Sequence, residues 1–188
     1  MVTGPPRRAD ARRNYERLLE AAEAALNAHG ARASLDDIAR DAGVGNATLY
    51  RHFPTREKLI DAVYEQRFRR LCSAAEERAG ASRPGEALIG WLREVVAHIT
   101  GSRLLGEAFA DAYEGPPGVE PPQVVLWHRA VLDAAVPLLT AAQRAGAVRA
   151  DLDAAELLAL TTAVARAGDP GQAGRHLDLL LEGVLPRP

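Results

Sequence analysis

The stretch S34-LDDIARDAGVGNATLYRHFPTREKL-59 decides how the rest of the chain is read. Ser34-Leu35-Asp36-Asp37 is a helix start, with a hydroxyl to close free amide groups and a carboxylate three residues on. Gly43 ends that helix and supplies the left-handed turn that lets a second helix leave sharply within three or four residues. A short helix follows over about 45–52, Pro54 breaks it, and Thr55 caps a fourth helix with Arg56 in its first turn. At 100° per residue, Leu49 and Phe53 share the side of the short helix that must face a core. Ala47, Thr48 and Arg51 lie opposite them, with Tyr50 on one flank and His52 on the other. A helix seated in the DNA major groove needs this arrangement, because its ridge meets base edges while its flanks meet the phosphate walls.

Outward from this segment, nearly every long stretch has helical period and none alternates with a period of two, so the expected fold class is all-α. A first helix from about residue 10 ends at Gly30, with Tyr15, Leu18, Leu19, Ala22 and Leu26 at helical spacing. The fourth helix, about 55–79, carries an apolar stripe of Leu59, Ile60, Val63, Phe68 and Leu71. Further helices are expected over about 85–100, 102–113, 121–146, 152–168 and 172–185. Between two of them, E114-GPPGVEPPQ-123 holds four prolines and two glycines and cannot be helical throughout. The expected organisation is a basic arm over 1–9, a DNA-binding domain over 10–56 and a second domain over 57–188.

Composition narrows the function classes. A hydrophobic fraction of 47% in 188 residues supports a real core. The net charge of −2 is unevenly spread: residues 1–70 hold thirteen basic against ten acidic residues, and the remainder ten against fifteen. Arg7, Arg8, Arg12 and Arg13 cluster at the front, the footprint of either a phosphate-binding arm or a solvated tail. Lys58 is the one lysine among 23 basic residues, so arginine as such carries little information here. The expectations are a cytoplasmic protein without membrane spans, no metal or other cofactor, and no enzyme. No uninterrupted apolar run reaches membrane length, Cys72 is alone, the five histidines are scattered, and no nucleophile, base and orienter fall in one motif.

With those residues in view, the segment resembles the DNA-binding region of the TetR family of bacterial one-component transcriptional regulators. The likeness covers roughly residues 10–60. I38-A-R-D-A-G-V-44, T48-L-Y-R-H-F-53 and the basic helix start after Pro54 stand at family spacing, while the later helices match only in layout. The resemblance implies that Ser34 touches a phosphate and that Asn46, Ala47 and Arg51 approach bases. It also implies that Thr48, Tyr50, His52 and Arg56 bind the DNA backbone. Two positions depart from the commonest pattern: Gly45 stands where serine is usual, and Arg56 where lysine is usual.

A single short helix reads too few base pairs to find one operator, so a homodimer on a palindrome is the expected state, with recognition helices about 34–36 Å apart. The resemblance implies that the last two helices pair with their mates, and Leu157, Leu160, Val164, Leu177, Leu180, Leu181 and Val184 offer apolar faces for pairing or for the internal core. It also implies a pocket for an unidentified small-molecule effector among the middle helices. Trp91, Glu94, His98, Phe109, Tyr113, Trp127 and His128 are candidates for its wall, or for ordinary core and surface. The implied mechanism is a repressor released from its operator by the effector. A helix-turn-helix adaptor that binds protein instead of DNA is the alternative, and loss of Arg51 separates the two.

Overall fold

Helical periodicity predicts an all-α chain, and among the described residues the computed structural model contains helices and turns but no strand. It describes residues 6–101, 103–112, 121–167 and 170–184, with the side chains of 6–8, 103, 109–112 and 170 outside that description. The helices are α1 (Pro6–His29), α2 (Leu35–Asp41), α3 (Asn46–His52), α4 (Arg56–Arg78), α5 (Pro84–Thr100), α6 (Arg103–Ala112), α7 (Pro122–Arg144), α8 (Ala154–Arg166) and α9 (Pro170–Val184), with a 3-10 turn at Gly30–Arg32. The expected arm over 1–9 is therefore helical from Pro6 onward. Residues 113–120, the greater part of the proline-rich segment, lie outside the described residues.

The chain divides into two units, Met1–Gln66 with Ser102–Pro116 and Arg67–Gly101 with Pro117–Pro188. The division falls inside α4, later than residue 56, and α6 joins the first unit although it follows α5 in sequence. Its reason is burial: Leu105 and Ala108 of α6 are almost wholly covered, and α6 packs on α1 and the 3-10 turn. In the same unit α1 packs on α2 and α2 on α3, the Tyr15 ring of α1 lies against Phe53, and Leu18, Ala22, Leu26, Ile38, Leu49 and Phe53 are all within 3% of full burial. Helices of seven residues are too short to persist alone, so this apolar contact is what holds α2 and α3 in place.

In the second unit α5 is the central helix, packing against α7, α8 and α9. Its stripe of Leu88, Trp91, Leu92, Val95 and Val96 is buried, and the Trp91 indole donates a 2.9 Å hydrogen bond to the Leu71 carbonyl. Asp153 and Glu156 form a reciprocal capping box at the start of α8, with the Glu156 amide donating to Asp153 at 2.7 Å. Thr161, fully buried, satisfies its hydroxyl within the helix by donating to the Leu157 carbonyl at 2.7 Å.

Candidate nucleic-acid interface

The turn between α2 and α3 is built by backbone. Gly43 takes φ +64°, its amide donates to Arg40 O at 2.9 Å, and the Val44 amide donates to Ala39 O at 2.9 Å, closing the carbonyls that end α2. A Cβ at residue 43 would also meet the Arg17 guanidinium from α1, but that is the end of a flexible side chain that can move aside, so it is the positive φ that selects glycine here. Ser34 caps α2 by accepting from the Asp37 amide at 3.3 Å. Gly45 caps α3 with backbone alone, and a Cβ there would meet nothing within 4 Å.

These constraints turn the third helix as the wheel requires. Leu49 and Phe53 point inward at 1% and 3% exposure, while Asn46, Ala47, Tyr50 and Arg51 are exposed, Tyr50 at 48%. Ala47, Tyr50 and Arg51 sit at i, i+3 and i+4 and so make one ridge. Thr48 is half-buried beside it. Asn46 is anchored: its amide nitrogen donates to Asp36 Oδ1 at 2.7 Å, tying the first residue of α3 to the first turn of α2. His52 is half-buried, edge-on to Tyr15 of α1 with ring centroids 5.8 Å apart. Arg56, expected at the DNA backbone, makes its hydrogen bonds within the chain. Its two terminal nitrogens donate to Ala33 O and Ala31 O, both at 2.7 Å.

At the front of α1, Arg12 pairs with Glu16 at 3.5 Å and Arg13 with Asp10, all four exposed. Such pairs are screened and exchange readily, so these cations remain available to a phosphate.

The candidate effector residues separate into three groups. Trp91 is fully buried in the core of the second unit and hydrogen-bonded, and Glu94 is half-buried and ion-paired with Arg78. His98, Trp127 and His128 converge on Phe68 of α4, which the sequence placed only in a core stripe. The Phe68 ring stacks on Trp127 at 5.5 Å and meets His98 and His128 edge-on at 4.9 and 5.6 Å. Of Phe109 only the backbone is described, and Tyr113 lies outside the described residues. Burial holds the His98 imidazole down to a pKa of about 4, with Arg67, His128 and Arg70 adding repulsion, so it is neutral at pH 7. Arg67, 8% exposed, donates to the His98 carbonyl at 3.1 Å.

The candidate pairing residues also separate. Leu157, Leu177, Leu181 and Val184 are buried within the chain at 0%, 0%, 8% and 4% exposure and offer no surface. Leu160 is 45% exposed, Val164 and Leu180 are half-buried, and Leu179, which periodicity did not single out, is 57% exposed.

A capped helix, a glycine turn and a second helix with a polar outward ridge define a helix-turn-helix protein of the DNA-reading class. Comparison with known proteins agrees. Residues 18–63 match the bacterial regulatory proteins of the tetR family, and residues 83–186 match the C-terminal domain of SbtR-like transcriptional regulators. The chain belongs to the TetR family of DNA-binding transcriptional regulators. It is similar to a TetR transcription regulatory protein from Mycobacterium vanbaalenii, with 38% identity over 96% of this chain and 100% of that one and a TM-score of 0.75. A TetR transcriptional regulator from Streptomyces coelicolor is 33% identical over 92% of this chain and 99% of its own, with a TM-score of 0.76. SmeT, the repressor of a Stenotrophomonas maltophilia multidrug efflux pump, shares the fold at 21% identity, covering 91% of this chain and 90% of its own, with a TM-score of 0.61. Helix α7 is, among the described residues, the one helix long and apolar enough to cross a bilayer by length and composition. The SbtR-like match encloses it, and its Val131, Ala135, Leu138 and Ala142 are buried.

Proposed function

We propose that this regulator is a repressor that binds a palindromic operator as a homodimer and leaves it when a small molecule binds the second unit. The observation that carries the reading is the ridge of Ala47, Tyr50 and Arg51, exposed above the buried anchors Leu49 and Phe53. Such a ridge places an arginine fork and a phenol where base edges and phosphates lie in a major groove. Asn46 and Thr48 flank the ridge, and the hydroxyl of Ser34 retains a proton to donate to a phosphate while it caps α2. His52 adds a ring nitrogen from a position fixed by Tyr15.

Leu160 and Leu179 are the exposed large apolar residues of α8 and α9, and a second copy of the chain is their natural cover. The effector reading rests on Phe68, His98, Trp127 and His128, an aromatic and imidazole cluster suited to a flat organic molecule. An effector with higher affinity for the form whose recognition helices are out of groove register lowers operator affinity by that difference.

The decisive experiment is selection of bound duplexes from a random library at moderate salt, with Arg51→Ala as control. A two-fold palindrome that disappears in the variant is the expected result. A folded protein that enriches nothing, with or without candidate ligands, would transfer the ridge to a protein partner. Binding that appears only when ligand is added would reverse the direction of regulation.

A further inference from the structure

Arg56 opens α4, where a cation in the first turn is expected to hold a DNA phosphate. Its hydrogen bonds lead elsewhere, and we infer that Arg56 is a positioning residue that clasps the segment entering α2 and thereby sets the seat of the recognition helix. The inference rests on the DNA-binding reading of α3.

The geometry is that of a fork. Nη1 donates to Ala33 O and Nη2 to Ala31 O, each at 2.7 Å, from a partly buried guanidinium. These two carbonyls flank the end of the 3-10 turn at Gly30–Arg32, where the helical hydrogen-bond ladder has run out and backbone oxygens need other partners. Two carbonyls two residues apart match the two terminal nitrogens of one planar guanidinium. An ammonium group has three donors, but they diverge from one nitrogen, so it lacks the parallel fork that reaches both carbonyls here. The arginine at this position, unusual in the family resemblance, is thus suited to a bond pattern that lysine cannot reproduce.

What the clasp holds is the origin of the DNA-reading surface. Ser34, the next residue after Ala33, caps α2 through the Asp37 amide. Asp36, in the first turn of α2, accepts from Asn46, the first residue of α3. A continuous set of bonds therefore runs from the start of α4, through the entry to α2, to the start of α3. Loss of the fork frees residues 31–33, and with them the cap and the Asp36–Asn46 link, without removing any group from the ridge itself.

The test uses the full-length protein and the duplex recovered by selection. Binding constants are measured across a range of salt for wild type, Arg56→Lys and Arg56→Gln, with circular dichroism to verify folding and hydrogen exchange at the amides of residues 33–38. For a positioning residue, Arg56→Lys loses affinity about ten- to hundredfold, as Arg56→Gln does. The slope of log K against log salt stays at the wild-type value, and exchange at 33–38 accelerates. For a phosphate contact, Arg56→Lys keeps wild-type affinity, and Arg56→Gln lowers the slope by about 0.9 per protomer. Either wild-type affinity in Arg56→Lys or a lowered slope overturns the inference. Should wild type bind no duplex, the DNA reading fails by itself, and unchanged amide exchange in Arg56→Lys would still overturn the clasp.

Discussion

The two units treat their polar side chains in opposite ways. In the first, Ser34, Asn46 and Arg56 each bond to a backbone or side chain of a neighbouring short element, and Tyr50 and Arg51 are left outside. In the second, the Trp91 indole and the Glu94 carboxylate are spent on Leu71 and Arg78, and the residues that gather are three aromatic or imidazole rings around Phe68. A DNA-reading surface must present polar groups at fixed places to a rigid target. A site for a small organic molecule is made from the same large residues that fill a helical core. On the proposed reading, function is therefore visible as exposure in the first unit and hidden as packing in the second.

The strongest way to break this contrast is Trp91→Ala. A fully buried tryptophan removed from α5 is expected to cost about 3–5 kcal/mol of stability in urea denaturation. Trp91→Phe, which keeps most of the volume and loses only the indole's hydrogen bond to the Leu71 carbonyl, itself still bonded within α4, is expected to cost about 1 kcal/mol. A near-neutral Trp91→Ala would mean that Trp91 lines an open cavity, and the two units would be less unlike than they look.

Next in size is Arg51→Ala, expected to weaken operator binding by about 1–3 kcal/mol per half-site and to relax preference at one base pair. Thermal unfolding should move little, because the side chain is exposed. A large loss of stability would show that the ridge is structural after all.

The pH response sharpens the contrast from the other side. His98 is held at about 4 by burial, with Arg67, His128 and Arg70 also lowering it, whereas an unfolded histidine titrates near 6.5. Between those values the unfolded chain binds the proton more readily, so the neutral imidazole's contribution is complete above 6.5 and is lost as pH falls toward 4. Denaturation midpoints measured from about pH 7.5 to about 4.5 should fall for wild type and fall less for His98→Leu. Equal slopes would mean that the imidazole is open to solvent and the cluster is not packed.

The smallest expected effect is at Gly45. Serine fits there without contact, since a Cβ meets nothing within 4 Å, and its hydroxyl supplies the missing side-chain cap of α3. Gly45→Ser should raise stability by a few tenths of a kcal/mol. Operator affinity should also rise, through one more donor facing the phosphates. Lower affinity would indicate that α3 must tilt away from the geometry a serine cap enforces.

Much of this was legible in the residues themselves. Ser34, Gly43, Pro54 and Thr55 act on the backbone within four residues of themselves, so they determine where helices start and stop whatever surrounds them. The alternation of Leu49 and Phe53 with Tyr50 and Arg51 likewise follows from the helical repeat alone. Tertiary structure decided what depends on partners distant in sequence: that α6 returns to the first unit, that Arg56 turns to Ala31 and Ala33, and that Leu157 and Leu177 face inward while Leu160 and Leu179 stay exposed. Periodicity states that a face is apolar, but which apolar face is covered depends on the neighbours that reach it. Phe68 entered the sequence reading as one more core residue, and only the packing of α5 and α7 against it brought His98, Trp127 and His128 to its ring.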